Sequence, residues 1–79
     1  MIEGKQIRAA RALLDWSRDD LIAKSGVSPS ALLRLENGLA DSRSSTLNKI
    51  VKVLTDEGIE FISQPDGGIG VLIRSKQSK

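Results

Sequence analysis

Up to about residue 57 the apolar residues recur at helical spacing, and beyond it they fall into short, strand-like runs. In GKQIRAARALLD, residues 4–15, Ile7, Ala10 and Leu14 stand at i, i+3 and i+7, and alanine favours helix intrinsically, so a first helix is predicted there. Trp16-Ser17 interrupts it. Ser17 is a good N-cap, with Asp19 and Asp20 in the next turn against the positive end of the helix dipole. Trp16 and Leu21 take the flanking positions of a hydrophobic staple. A second helix is therefore predicted from about Arg18 to Ser25, ended by Gly26, which tolerates a left-handed backbone.

The same signals repeat at once. Ser28 caps, Pro29 sits at the first helical position where its missing N–H is harmless, and Val27 with Leu32 makes a second staple. This predicts a third helix over residues 29–36, stopping at Asn37-Gly38. Two staples with only Gly26-Val27 between them fix the angle at which the third helix leaves the second. Residues 39–45 are a polar loop, and Ser44 or Ser45 caps a fourth helix running to about Glu57, with Leu47, Ile50, Val51 and Leu54 on one face.

After Gly58 the period changes: IEFIS and IGVLIR, separated by QPDGG, predict a β-hairpin. A lone hairpin is marginal in water, so it must pack on the helices or pair with its counterpart in a second subunit. Its apolar residues are too many for one small face, which favours the second arrangement, with Ile59, Phe61, Ile62, Val71 and Ile73 as dimer contacts. The pattern divides the chain into a helical domain (1–58), a hairpin extension (59–74) and a frayed tail (75–79), and its fold class is mainly α, about four helices with a short C-terminal β-hairpin.

Composition narrows the chemistry. A chain of 79 residues makes one domain, and burying only about 60–65% of its unfolded surface leaves a modest core that a partner subunit would extend. Without a cysteine or a histidine it has neither disulfides nor the commonest metal ligands, so no metal site and no cofactor is expected. No apolar run approaches the ~20 residues that span a bilayer. Because MIEGKQIRAA lacks the form of a secretory signal, the expected location is the cytoplasm. A net charge of +2 is too small to point to nucleic acid by itself; the basic groups would have to be clustered.

Ser17, Leu21, Gly26-Val27-Ser28, Leu32, Arg34, Leu35 and Glu36-Asn37-Gly38 together resemble the helix-turn-helix of the phage-repressor-like (XRE or Cro type) DNA-binding domains. The resemblance extends forward into IRAARALL and back through TLNKIVKVL, covering residues 5–57 or so, and implies a lambda-repressor-like helix-turn-helix bundle. In this geometry the second helix of the motif lies in the major groove. The resemblance places Pro29, Ser30, Leu33 and Arg34 against the bases, with Leu32 and Leu35 turned inward. These four depart from the family's usual polar set. Arg34 suits a guanine, Ser30 any base or a phosphate, and Leu33 either contacts a thymine methyl or is simply exposed.

For the DNA backbone, the resemblance implies the helix starts at Ser17 and Ser28, with Arg18, Asn37 and Arg43 nearby. The alternative for Arg18 and Arg43 is an ordinary solvated charge, and Asp41 weakens the field around Arg43. Glu36 matches a family acid that pairs with an arginine of the first helix, here Arg11, in a structural ion pair. The function implied is a sequence-specific, homodimeric repressor of double-stranded DNA binding a palindromic operator. An antitoxin that binds a toxin protein and regulates its own operon is the alternative. Catalysis is not expected: the carboxylates have structural assignments, and the glycines of GIEFISQPDGGIG do not open a helix as a phosphate loop requires.

Overall fold

The computed structural model of the protein describes residues 2–39 and 45–74. Four helices, α1 (Gly4–Leu14), α2 (Arg18–Ser25), α3 (Pro29–Glu36) and α4 (Ser45–Asp56), precede an antiparallel hairpin of β1 (Ile59–Ser63) and β2 (Ile69–Ile73). This is the helical bundle with a C-terminal hairpin that the patterning predicts. Residues 1, 40–44 and 75–79 lie outside the described residues.

Local side-chain chemistry sets the helix ends. The Ser17 hydroxyl accepts from the Asp20 N–H at 3.0 Å while the Asp20 carboxylate accepts from the Ser17 N–H at 2.9 Å, a reciprocal capping box. At α3 the Ser28 hydroxyl accepts from the Ala31 N–H at 3.2 Å, with Pro29 opening the helix. Between the two, Gly26 takes a φ of 76°, a left-handed value that lets the chain turn sharply from α2 toward α3. α1 ends one residue short of the predicted Asp15, because Asp15 itself turns left-handed and Trp16 donates back to the Arg11 carbonyl at 2.9 Å.

All four helices feed one core. Ile7 and Ala10 of α1, Leu21 of α2, Leu32 and Leu35 of α3, and Leu47, Ile50 and Leu54 of α4 pack together with Val27 and Ile59. Two further contacts lock α1 to α3. Arg11 Nε donates to Glu36 Oε2 at 2.6 Å and its Nη2 to Glu36 Oε1 at 3.1 Å, a two-pronged pair with the Glu36 side chain fully buried. At the other end of α1, a Cβ on Gly4 would fall directly on the Leu35 carbonyl oxygen and 2.7 Å from that of Glu36. Gly4, Ile7 and Arg11 are spaced i, i+3, i+7, so one stripe of α1 carries the close approach, the core contact and the ion pair.

The hairpin departs from expectation in its packing. Its register pairs Ile59 with Ile73, Phe61 with Val71 and Ser63 with Ile69 on one face, leaving Glu60, Ile62, Gly70 and Leu72 on the other. The first face meets the bundle: Ile59 is 3% exposed, and Phe61 and Val71 pack against the core. Ile59 is therefore a core residue of its own subunit and not a dimer contact, and Phe61 and Val71 also face inward. Alternation within the strands divides the apolar residues that the sequence presents as one surplus. Gln6, 2% exposed, ties α1 to the sheet by donating its amide to the carbonyls of Ile62 at 3.1 Å and Gly70 at 2.9 Å, while its own oxygen accepts from the Glu3 N–H.

Two stability measurements check this packing. Helix propensity alone would make Gly4→Ala stabilising by up to about 1 kcal/mol. Overlap with backbone atoms should reverse the sign, lowering stability by about 1–3 kcal/mol in urea unfolding; an unchanged midpoint would separate α1 from α3. Arg11→Met should cost about 3 kcal/mol, because it removes two of the three arginine bonds to a buried carboxylate and leaves it only the half-exposed Arg18. A loss below about 1 kcal/mol would mean that the pair contributes no more than a surface ion pair.

Candidate nucleic-acid interface

α3 has two sides of opposite character. Leu32 (0% exposed), Leu35 (5%) and Glu36 (1%) point into the protein. Pro29, Ser30, Leu33, Arg34 and Asn37 are all exposed, at i, i+1, i+4, i+5 and i+8, and so form one outer stripe. The four positions that the resemblance puts against the bases thus lie together on the solvent side. The Arg34 guanidinium has no partner among the described residues, which leaves its fork of donors open. Leu33 is 44% exposed, an apolar group amid polar neighbours. Eight residues of helix are about 12 Å long, close to the ~12 Å width of the major groove of B-DNA.

The expected backbone-contacting residues are arranged less simply. Ser17 and Ser28 spend one acceptor site each on their helix caps, and each hydroxyl still has its proton to donate. Asn37 is exposed at the end of α3, where Leu39 and Gly38 turn back to donate to the Arg34 and Leu35 carbonyls at 2.8 and 3.1 Å. Arg43 lies outside the described residues. Arg18 is not an isolated surface charge: its Nε donates to Glu36 Oε1 at 3.0 Å, with the Arg18 side chain 51% exposed.

Glu36 therefore receives two arginines, one on each side of the junction between α1 and α2. Arg11 also donates its Nη1 to the Trp16 carbonyl at 3.1 Å, fixing the turn that separates those helices. Trp16 is partly buried against the core and has the Lys24 ammonium 5.2 Å from its ring centre, so it acts as a lid under a cation. The bond of Arg18 to Glu36 and the hairpin-binding amide of Gln6 are not among the sequence expectations. Gln6 carried a signal nonetheless, as a glutamine three residues after Glu3 in a capping-box spacing.

A helix-turn-helix family model matches residues 7–55, from α1 through nearly all of α4 and short of the hairpin. Uncharacterised HTH-type transcriptional regulators of Mycobacterium bovis and Mycobacterium tuberculosis are 35% identical to the chain over 80 residues, an alignment that takes in 95% of this chain. The chain spans only 31% of the length of these relatives. With the turn geometry, the two-sided α3 and the matched residues in agreement, the chain belongs to the helix-turn-helix family, in its phage-repressor-like, XRE-type form.

Proposed function

We propose that the protein is a sequence-specific, double-stranded DNA-binding transcriptional regulator that acts as a homodimeric repressor. The observation that carries this reading is the outer stripe of α3: Pro29, Ser30, Leu33 and Arg34 are exposed together on a helix whose opposite side is sealed into the core. Such a helix enters the major groove without any rearrangement of the fold. Arg34 reads a guanine through two hydrogen bonds, Leu33 meets a thymine methyl, and Ser30 contacts a base edge or the strand. The regulatory role is supported by the relatives, which are named as transcriptional regulators.

The dimer follows from the poverty of this contact set. One arginine and one leucine discriminate by a few kcal/mol, too little among the competing sites of a genome, and two copies roughly double that free energy. Two recognition helices about 34–36 Å apart would read successive major grooves of a two-fold symmetric site. With Ile59, Phe61 and Val71 turned inward, the subunit contact is assigned to the other face of the hairpin, where half-buried Ile62 and Leu72 flank the side-chain-free Gly70. Repression is the simplest consequence of occupying DNA in this way.

Selection of random duplexes on the purified protein should return a palindromic site, and an unenriched pool would remove sequence-specific regulation. Arg34→Ala should relax preference at one position per half-site by about 1–3 kcal/mol while leaving stability nearly unchanged. Ile62→Arg should give a folded monomer by sedimentation with much weaker operator binding; a dimer of unchanged mass would place the subunit contact elsewhere.

A further inference from the structure

Two arginines converge on Glu36, and their positions differ in a way that one structural ion pair does not explain. Arg11 alone satisfies the carboxylate, reaching both oxygens at 2.6 and 3.1 Å from a side chain only 16% exposed. Arg18 adds a third bond to a group already paired, at 3.0 Å through Nε alone. Its two terminal nitrogens have no partner among the described residues, and its side chain is 51% exposed. Two positive charges against one negative leave a surplus of one, and that surplus resides on the arginine that faces solvent.

Its place in the fold gives the surplus charge a direction. Arg18 opens α2, and Glu36 is the last residue of α3, so their bond holds the guanidinium beside the end of the helix that carries the exposed stripe. Because α3 is about as long as the groove is wide, groups beside its ends come next to the flanking sugar–phosphate strand. Arginine is also the side chain able to serve both partners at once, one edge for a carboxylate and another for a phosphate. The next residue, Asp19, is an exposed carboxylate, whereas Asp20 is held in the capping box with Ser17.

We infer that Glu36 is a positioning residue as well as a structural one: it holds Arg18 by its inner edge so that the outer edge meets a DNA phosphate as α3 enters the groove. This rests on the proposed DNA-binding function. It goes further in assigning to a buried carboxylate the orientation of a surface phosphate contact. A flexible arginine reaching the same phosphate would have to be ordered on binding, whereas this one is ordered beforehand.

The test titrates wild type, Arg18→Ala and Arg18→Lys into a duplex of arbitrary sequence at several salt concentrations. Losing one phosphate contact should weaken Arg18→Ala on every duplex and reduce the salt slope by about 0.9, so its deficit shrinks about 3.5-fold between 50 and 200 mM salt. Arg18→Lys keeps the charge but cannot join Glu36 and a phosphate by two edges, and should still bind at least about threefold more weakly than wild type. Equal affinity and slope for Arg18→Ala would overturn the contact; wild-type affinity for Arg18→Lys would overturn the positioning. In a Glu36→Gln background that still melts cooperatively, the effect of Arg18→Ala should shrink, and an undiminished effect would also overturn the positioning. If Glu36→Gln does not fold, the lysine comparison decides. Duplex binding without sequence selection would reject the regulator reading while leaving the clamp measurable from the salt slope; no binding to any duplex would reject both.

Discussion

The buried carboxylate of Glu36 is the point on which the arrangement of the helices turns. A charge with no solvent exposure is costly, and in many proteins a buried ion pair adds little stability over well-packed apolar groups. What it adds here is geometric. An apolar side chain at position 36 could be satisfied by many relative placements of α1 and α3, whereas a two-pronged arginine–carboxylate pair is satisfied by very few. The pair therefore acts as a register device between the first helix and the proposed recognition helix. Gly4 does similar work through the backbone, admitting the Leu35 and Glu36 carbonyls at a distance no side chain would allow. Because Gly4 and Arg11 lie two turns apart on one stripe of α1, α3 is held at two separate points along that helix.

This matters because the domain is small. A core built around Ile7, Leu21, Leu32, Ile50 and Leu54 leaves one side of α3 exposed among the described residues, so that side adds no buried contact to the helix. Its end caps and its inner contacts must hold it in place. Ser28 and Pro29 start the helix, the turn at Gly38-Leu39 closes it, and Leu32, Leu35 and Glu36 anchor it. Presenting a rigid helix to a large partner thus requires most of the local order to be encoded in a few residues at its ends. The hairpin contributes to the same end: Ile59 completes the core and the Gln6 amide staples α1 to the sheet, so the platform behind α3 includes the last elements of the chain.

The elements that were legible in the sequence are those whose signals are local. Both serine caps, the glycine turn and the proline at the start of α3 each act within four residues, and their sequence spacing is their structural spacing. Long-range pairings were not legible from periodicity. The pairing of Arg11 with Glu36 came from family resemblance, since nothing in the spacing of residues 25 apart requires it. For Arg18 the sequence offered a backbone contact or an ordinary solvated charge, and its bond to Glu36 was not legible because that partner is 18 residues away on another helix. The hairpin existed in the pattern, but the side it would bury did not. Seven apolar residues in two short runs read as one excess surface until the register assigned Ile59, Phe61 and Val71 to one face and Ile62 and Leu72 to the other.

The separation between what holds α3 and what it displays has a consequence for how such a surface can change. Ser30, Leu33 and Arg34 are exposed, so replacing them removes little that the fold depends on; surface substitutions of this kind usually alter stability by no more than about 0.5 kcal/mol. Altering Glu36, by contrast, leaves the mostly buried Arg11 unpaired, and altering Arg11 leaves the buried carboxylate only its single bond from Arg18. Arg18 stands at the boundary between the two classes. Its inner edge belongs to the buried network and its outer edge to the surface, so a change there reaches the proposed DNA-facing side of the molecule while the core pair of Arg11 and Glu36 stays intact. On the proposed reading, Arg18 is thus a described residue through which the strength of binding would be tuned while the core pair and the exposed side chains of α3 stay in place.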